Sequence, residues 1–452
     1  MPPATGTGES GKICQDSLIQ KGDDLAREVV IIDGSRTPFV RAGEVFRDVP
    51  VDELARSCAR DLLDRVDIDP AIIDELILGC VAQPPDCANP ARVVALRSGL
   101  PQSTPAQTVS RNCASGMQAV SDAYDRIRCG ASDAVLAGGS ESMSRIPILF
   151  PLSFGFKLAS LSRARAMTEK LAGIFHFRPR DLKPRIGLLE GLKDPFSGEN
   201  MGDTADRLAR EWGISRDEQD QYALESHRRA VASRDVLAEE ISALAIPPRF
   251  NDVIREDIGP RPDAKFEKMN RMKPYFDRKL GSVTIANSCG ITDGASMLLL
   301  MDSERARQLG FSPIARIVGT AFVGCDPLRM GLGPVHAISS VLSGSDLALG
   351  DIDLVELNEA FAAQVLACQR ALASDSFCRE AGFSSTPGAI EHDRLNVHGG
   401  AIALGHPVGA SGARLIFTLA RQLHRRGGGH GIATMCVGGG QGGAVLLEGI
   451  AS

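Results

Sequence analysis

The sequence repeats one arrangement of secondary structure, and this internal duplication constrains the fold more than any other feature. Near the start, the apolar spacing predicts an amphipathic helix over residues 51–65, followed by a strand over 75–79. The same helix, Asp-containing turn and strand recur roughly 280 positions later, at 335–342 and 353–357. The pattern therefore predicts two similar α/β halves.

A second pair of elements extends the duplication. The triplet Ala-Ser-Gly at 114–116 begins a predicted helix that leads to a strand at 134–137 and then to two glycines. Another Ala-Ser-Gly triplet, at 410–412, begins a helix that leads to a strand at 431–437 and then to three glycines, roughly 300 positions later. Loop insertions account for the small drift between the two spacings.

Between residues 144 and 280 the pattern changes to helical, charged and proline-bearing sequence, and strands resume at 281–285 and 296–301. We interpret this stretch as an inserted domain. The predicted division is a polar tail at 1–27, an N-terminal half at 28–143 plus 281–305, the insertion at 144–280, and a C-terminal half at 306–452.

Part of the insertion is strongly basic. Residues 151–185 contain eight Lys or Arg and two acidic residues, a local charge of +6 in a chain whose net charge is −6. Apolar residues at helical spacing lie among these charges and predict a basic amphipathic helix over about 156–175. Two interpretations stay open: a solvated helix docked on its own domain, or an outward-facing helix that engages an acidic partner or anionic lipid.

Composition excludes several classes of protein. With 50 Lys plus Arg against 56 Asp plus Glu, no global positive field favours nucleic acid. No apolar run approaches the ~20 residues of a membrane span. Eleven cysteines without a C-x-x-C pair indicate neither a disulfide framework nor a zinc site, and no signal or transit peptide is recognisable. We expect a soluble cytoplasmic protein with reduced thiols and no metal.

Cys113 is the first candidate for chemistry. It lies between a predicted strand at 106–110 and the helix that begins beside it, so the positive end of the helix dipole favours thiolate over thiol. The small residues at 114–116 would let substrate approach the sulfur. On position alone, a buried inert cysteine is an equal alternative.

Three further candidates follow predicted elements of the second half. His406 lies in a loop of small residues at 399–407, where it could act as a base or be structural. Cys436 ends a strand before three glycines whose N–H groups can face a substrate carbonyl, and Asn358 follows the strand at 354–357, where a helix cap is the alternative. Pseudo-twofold symmetry would bring these residues to Cys113.

Five short motifs in order give the chain a resemblance to the thiolase family over about residues 28–449. They are Asn112-Cys-Ala-Ser-Gly116, Gly138-Gly-Ser-Glu-Ser-Met-Ser144, Asn358-Glu-Ala-Phe361, the loop at 399–407, and Cys436-Val-Gly-Gly-Gly440. The insertion resembles the thiolase (beta) subunit of fatty-acid trifunctional complexes more than the short biosynthetic thiolases. The resemblance implies an α/β thiolase-like fold of two βαβαβαββ halves in a layered core, with an inserted, mostly helical loop domain.

The resemblance also implies an acyltransferase that cleaves 3-ketoacyl-CoA to acyl-CoA and acetyl-CoA, as in fatty-acid β-oxidation. His406 would deprotonate Cys113, whose sulfur takes the acyl group, and Cys436 would act as the second acid and base. The enolate oxygen would be bound by His406 and a water held by Asn358, and the thioester oxygen by the N–H groups of Cys113 and Gly438. An acetoacetyl-CoA thiolase working in the condensation direction is the alternative, and a catalytically inactive lipid carrier or scaffold is a third hypothesis.

The resemblance also predicts that the protein uses coenzyme A as a co-substrate and has no tightly bound cofactor. The residues assigned to CoA or substrate are Arg261, Cys289, Met201 and Phe361, although Arg261 could equally be an ordinary surface arginine. Cys289 stands where many thiolases have serine, and a thiol is a poorer hydrogen-bond partner. A homodimer or homotetramer is expected. An enoyl-CoA hydratase/3-hydroxyacyl-CoA dehydrogenase partner and weak contact with anionic membranes are further expectations. The preferred acyl chain length and the physiological direction of the reaction stay open.

Overall fold

The computed structural model describes residues 26–451, so nearly all of the predicted polar tail lies outside the described residues. The strands are β1 Val29–Arg36, β2 Val40–Arg41, β3 Glu75–Gly79, β4 Ala106–Val109, β5 Ala134–Glu141, β6 Ile148–Leu149, β7 Arg185–Ile186, β8 Leu244–Ala245, β9 Val253–Ile254, β10 Thr292–Asp302, β11 Ala315–Gly324, β12 Leu354–Leu357, β13 Gly429–Val437 and β14 Gln441–Gly449.

The α-helices agree closely with the predicted ones in both halves. They are α1 Val51–Val66, α2 Pro90–Arg97, α3 Ser115–Arg128, α4 Leu152–Arg163, α5 Met167–Phe175, α6 Gly187–Gly191, α7 Met201–Glu211, α8 Arg216–Ala232, α9 Arg234–Ala238, α10 Phe266–Asn270, α11 Ser303–Leu309, α12 Gly333–Ser343, α13 Ala362–Leu372, α14 Asp375–Glu380, α15 Ala401–Leu404 and α16 Val408–Arg425. Within residues 26–451, none of them is long and apolar enough to cross a membrane.

The main sheet displays the duplication directly. Its order is β12-β13-β14-β11-β1-β10-β5-β3-β4, and β2 adds to β10. In the first half β1, β10 and β5 pair antiparallel, and β5, β3 and β4 pair parallel. The second half reproduces this order and these directions from β11 to β12. A single parallel bridge from Val355 to Leu395 stands where the first half has β4. The halves join where β1 pairs antiparallel with β11.

Alternating side chains distribute the core between layers. Val29 and Ile31 of β1 pack in a cluster with α3 and α16, whereas Val30 and Ile32 pack in another with α1 and α2. A third cluster contains α12 and α13 on the other half. Because successive residues of a strand point to opposite faces, one continuous strand serves two layers. The result is the layered α/β core that the family resemblance implies.

Helices α3 and α16, which follow the two Ala-Ser-Gly triplets, cross closely in the central layer. A Cβ atom on Gly116 would lie 2.7 Å from the carbonyl oxygen of Gly409, and one on Gly412 would lie 2.5 Å from the nitrogen of Met117. Only residues without a side chain permit this approach. The small residues after Cys113 therefore serve helix packing, and this is a different role from the substrate access predicted for them.

Two local predictions are wrong, one directly after the insertion and one within it. Residues 281–285 form no strand, because the Asp206 carboxylate accepts the N–H groups of Ser282 and Val283 at 2.7 and 2.9 Å and holds them in a loop. The predicted helix over 156–175 is two helices, α4 and α5. The second begins where the Glu169 carboxylate accepts the N–H groups of Arg165 and Ala166 at 3.1 and 3.3 Å.

Candidate active site

Cys113 lies in a tight loop between β4 and α3, and side-chain hydrogen bonds fix this loop. Asn112 has a left-handed backbone with φ of 43°, and its Nδ2 donates to the carbonyl of Gly438 at 2.7 Å. The Ser115 hydroxyl accepts the N–H of Arg111 at 2.9 Å and donates to the carbonyl of Asn112 at 2.7 Å. The hydrogen bond from Asn112 thus connects the Cys113 loop of the first half to the glycine turn at 438–440 in the second half.

The resting state of Cys113 differs from the prediction of a thiolate. Burial raises the pKa of the Cys113 thiol above its ordinary value, and the negative charge of Glu141 acts in the same direction. The N–H groups of Gly438 and of Cys113 itself donate toward the sulfur and lower the pKa in part. Desolvation outweighs the helix terminus, so the sulfur is a thiol and needs a base.

His406 is oriented as such a base. Its Nδ1 lies 2.6 Å from the Ser411 hydroxyl, which donates its one proton to the carbonyl of Pro407 at 3.0 Å. Ser411 must then accept from Nδ1–H, which leaves the lone pair on Nε2. That Nε2 is buried without a hydrogen-bond partner among the described residues. Burial, followed by the charge of Arg414, lowers the pKa of His406 to about 4, so the ring is neutral at physiological pH.

Asn358 lies at the end of β12 with a buried, unpaired amide. Its N–H donates to the carbonyl of Thr434 at 3.0 Å, while neither Oδ1 nor Nδ2 has a partner among residues 26–451. An unpaired buried amide costs free energy, which makes this side chain a place where water or substrate can be bound. The helix-cap alternative does not hold, because α13 begins at Ala362 with Phe361 before it and Asn358 caps nothing.

Cys436 is the penultimate residue of β13 and is 2% exposed. Burial raises its pKa well above the ordinary value, and negative charge on Cys113 or Cys289 would raise it further. The pKa of Cys289 is likewise raised, by burial and then by Cys113, to about 12. Burial therefore favours the protonated form of both thiols.

Backbone contacts bring His406 and Asn358 to the same region. The N–H of His406 donates to the carbonyl of Gly290 at 2.9 Å, and the N–H of Cys289 donates to the carbonyl of Ala360 at 3.0 Å. Residues 289–290 therefore bridge the histidine loop and the segment after Asn358. Cys113, His406, Cys436 and Asn358, predicted from distant parts of the chain, converge together with Cys289 and Gly438.

The remaining predicted binding residues are Met201, Phe361 and Arg261. Met201 lies at the site, because its Sδ would be 3.3 Å from a Cβ on Gly438. Phe361 is 7% exposed and packs edge-on against Phe276, with ring centroids 6.0 Å apart. Arg261 is exposed, and its backbone N–H donates to His227 Nδ1 at 3.3 Å. Its assignment to CoA stays a prediction.

Two buried carboxylates that sequence reasoning gave no role organise the site. Glu359 accepts from Tyr222 and Ser226 of α8, from Asn396, and from the N–H of Ile402 at 2.6 to 3.1 Å. Glu141 accepts the N–H groups of Val81, Ala82 and Gly409 at 3.0 to 3.1 Å, and burial raises its pKa to about 7. The sequence does contain a signal for such residues, because a carboxylate inside or directly after an apolar strand indicates a buried acid that needs hydrogen-bond donors.

The arrangement contains a neutral base, two thiols and converging N–H donors, and it suits acyl transfer through sulfur. Among the described residues, no group of His, Cys, Asp and Glu is placed to hold a metal ion.

Comparisons with known proteins agree with this arrangement. Residues 29–304 match the family model "Thiolase, N-terminal domain", and residues 311–449 match "Thiolase, C-terminal domain". The 3-ketoacyl-CoA thiolases of Yersinia enterocolitica and Pectobacterium atrosepticum are 38% identical over 435 residues, which is 95% of this chain and 98% of each relative.

Solved structures are similar over nearly the whole chain. The acetyl-CoA acetyltransferase of Bacillus anthracis has a TM-score of 0.82 at 35% identity, covering 94% of this chain and 100% of that one. Human mitochondrial 3-ketoacyl-CoA thiolase, also solved in complex with CoA, has a TM-score of 0.81 at 34% identity, covering 94% and 99%.

Proposed function

The chain belongs to the thiolase family and is an acyltransferase that cleaves 3-ketoacyl-CoA by thiolysis, and we propose that Cys113, His406, Cys436 and Asn358 carry out this reaction. Coenzyme A is a substrate, with no tightly bound cofactor proposed. The observation that carries the assignment is the neutral His406, whose buried Nε2 lone pair is free in a region that also contains two protonated thiols.

The first half-reaction transfers the acyl group to the enzyme. His406 Nε2 accepts the proton of Cys113, and the sulfur attacks the 3-keto carbon. The bond between C2 and C3 then breaks, which leaves an acyl thioester on Cys113 and the enolate of acetyl-CoA. Cys436 donates its proton to C2 of the enolate, and acetyl-CoA leaves. The protonated Nε2 and a water bound by the unpaired Asn358 amide stabilise the enolate oxygen.

The second half-reaction regenerates the enzyme. The Cys436 thiolate takes the proton of the incoming CoA thiol, whose sulfur attacks the thioester on Cys113. The N–H groups of Cys113 and Gly438, which already point at the Cys113 sulfur, stabilise the oxyanion. Collapse releases acyl-CoA, and Cys113 recovers its proton from His406. All three groups return to their starting protonation states.

Binding roles are proposed for four residues around this centre. Met201 and Cys289 would contact the substrate near the reacting atoms, as supported by their contacts with the glycine turn and with Ala360. Phe361 would contribute an apolar wall, and Arg261 would contact the CoA phosphates. We also propose the division into halves and insertion at the boundaries predicted from sequence.

The wider setting is proposed from the resemblance. The enzyme would act in fatty-acid β-oxidation in the cytoplasm as a homodimer or homotetramer, together with a hydratase/dehydrogenase partner. The basic stretch at residues 151–185 would make weak contact with anionic membranes. Light scattering at micromolar concentration tests the assembly, and an active monomer would contradict it.

The second candidate is condensation of two acetyl-CoA molecules, which the similarity to an acetyl-CoA acetyltransferase favours. Thiolysis rates for 3-ketoacyl-CoA substrates of increasing chain length distinguish the two. Acylation mapped by mass spectrometry should fall on Cys113, and Cys113→Ala should be inactive. An adduct on another residue, or turnover by Cys113→Ala, would contradict the assignment.

A further inference from the structure

A buried ion pair between α16 and β12 has no part in the reaction described above. Arg414 of α16 donates from Nη1 to the Glu356 carboxylate of β12 at 3.0 Å, and Gln422 of α16 donates from Nε2 to the same carboxylate at 3.2 Å. The side chains of Arg414 and Glu356 are each 1% exposed, and Gln422 is buried as well. We refer to Glu356, Arg414 and Gln422 as the polar bridge.

One end of the polar bridge belongs to the helix that orients the catalytic base. Ser411 and Arg414 are three residues apart on α16, so their side chains are neighbours on one face of the helix. The Ser411 hydroxyl is the group that holds Nδ1 of His406. Arg414 therefore lies one turn along the helix from the hydrogen bond that orients the base.

The other end belongs to the strand that leads to Asn358. Leu354 of β12 packs with α16 in the central cluster, whereas Val355 packs with α12 and α13 in the cluster on the opposite face. Because side chains alternate along a strand, Glu356 and Asn358 face α16 together with Leu354. The polar bridge thus connects the helix that orients His406 to the strand position two residues before Asn358.

Stability alone does not explain why these groups are buried. Arg36, the other fully buried arginine of residues 26–451, uses all of its guanidinium nitrogens to bond Glu240, Asp257 and a backbone carbonyl. Arg414 bonds Glu356 alone, and its Nε and Nη2 have no partner among the described residues. Burial raises the pKa of Glu356 to about 7, although Arg414 opposes this shift. An incompletely paired buried ion costs stability, and apolar residues of similar volume are often as stable or more so.

The two groups that the polar bridge connects act on the same atom. In the proposed reaction, His406 and a water bound by Asn358 stabilise the enolate oxygen that forms when the C2–C3 bond breaks. Transfer of the acyl group between Cys113 and CoA uses the N–H groups of Cys113 and Gly438 instead. A change in the spacing of α16 and β12 should therefore slow cleavage of the carbon–carbon bond more than acyl transfer.

We propose that Arg414 and Glu356 are positioning residues that set the distance between His406 and Asn358 for stabilisation of the enolate oxygen. This inference rests on the proposed function of His406 and Asn358, and it assigns a role to two residues that the reaction steps do not use. A displacement of about 1 Å near a reacting centre costs on the order of 10²-fold in rate. Loss of the polar bridge should slow carbon–carbon bond cleavage by about that factor and leave acyl transfer nearly unchanged.

The test compares two activities of the full chain. Thiolysis of a 3-ketoacyl-CoA requires cleavage of the carbon–carbon bond, whereas exchange of isotope-labelled CoA into the acyl-CoA product requires only acyl transfer to and from Cys113. In the triple variant Arg414→Met, Glu356→Met, Gln422→Met, apolar side chains of similar volume replace the polar bridge, so the fold should be kept. We expect the thiolysis rate to fall about 10²-fold and the exchange rate to stay within about fivefold of wild type.

Two single variants decide the question if the triple variant fails to fold. Glu356→Gln keeps the volume but presents one acceptor oxygen where the carboxylate presents two, so the ratio of thiolysis to exchange should fall about tenfold. Arg414→Lys keeps the positive charge and a donor for Glu356, so its ratio should be at least about fivefold higher than that of Arg414→Met. This rescue by the conservative variant is not expected of a side chain that only fills space.

A matched control removes another buried arginine contact away from the polar bridge. Arg216 of α8 bonds Asp220 at 2.7 Å, and their side chains are 19% and 0% exposed. Arg216→Met should lower thermal stability while the ratio of thiolysis to exchange stays at the wild-type value. The control separates a loss of stability from a loss of positioning.

Two results would overturn the proposal and leave the proposed function standing. One is wild-type thiolysis in the folded triple variant or in Glu356→Gln. The other is an equal loss of thiolysis and exchange in these variants, which would make the polar bridge a structural element only. Absence of both activities in the wild-type enzyme would contradict the proposed function and this inference with it, so the two kinds of failure are distinguishable.

Discussion

Replacing Ser411 with alanine tests whether the catalytic base depends on the hydrogen bond at its far nitrogen. Ser411 is fully buried, and its hydroxyl lies 2.6 Å from His406 Nδ1. Ser411→Ala removes the acceptor and leaves a buried N–H without a partner. Water cannot replace it without rearrangement, because the surrounding helix start is buried as well.

The size of the effect follows from the change in charge during acylation. A hydrogen bond between neutral groups contributes ~0.5–1.5 kcal/mol, and one to a charged group ~1.5–3 kcal/mol. The bond to Ser411 therefore strengthens by about 1–1.5 kcal/mol as His406 becomes an imidazolium. Acylation in Ser411→Ala should be slower by about 5- to 12-fold. The pKa of His406 should fall by about a further unit.

Single-turnover acylation of the enzyme with a 3-ketoacyl-CoA, followed by mass spectrometry of Cys113, measures this step. Ser121→Ala is the matched control. Ser121 is 3% exposed, and its hydroxyl lies 2.9 Å from the hydroxyl of Thr320 rather than beside the histidine. It should lose comparable thermal stability and keep wild-type acylation. Acylation by Ser411→Ala within twofold of wild type, or equal losses in both variants, would refute the reasoning.

The other predictions concern the second thiol, the pH profile and the buried carboxylate. Cys436→Ser should still acquire an acyl group on Cys113 while steady-state turnover falls by ~10²–10⁴-fold; wild-type turnover would remove Cys436 from the reaction. His406 must be neutral to accept a proton, and its pKa is lowered to about 4. We therefore expect kcat/KM to keep its value as the pH falls through 6.5 and to decline only near pH 4. A decline of kcat/KM centred at pH 6.5 would contradict this. Glu359→Gln should lower the free energy of unfolding in urea by about 3 kcal/mol, because an amide cannot accept hydrogen bonds from all four donors. Glu391→Gln, at an exposed position, is the control, and equal urea midpoints for the two variants would contradict the role of Glu359.

Sequence reasoning predicted the elements whose patterns are set locally. The strand at Glu75–Gly79 and the helix from Val51 have uninterrupted apolar periods, and their observed bounds match the expected ones within about a residue. The duplication supplied the long-range information, because equivalent elements of the two halves must occupy equivalent places in the sheet. That symmetry also allowed Cys113 and Cys436 to be assigned to one region before any contact was known.

Three of the failures share one cause, which is a contact between residues far apart in sequence. The alternating apolar pattern at 281–285 favoured a strand, and Asp206 captured its N–H groups instead. The helix dipole favoured a thiolate at Cys113, whereas desolvation by the assembled halves raised its pKa. Glu359 could not be assigned a role because its donors come from α8, Asn396 and α15, which no local pattern connects.

The protonated state of Cys113 has a consequence for survival of the enzyme under oxidative stress. Peroxides react with thiolates, and a sulfur whose pKa is raised by burial contains little of that form at neutral pH. The proton is removed only when a substrate carbonyl is present to receive the sulfur. An enzyme built in this way tolerates oxidants and simple electrophiles while idle, and the thioester formed during turnover covers the sulfur, so inactivation by hydrogen peroxide should slow further when acyl-CoA is present.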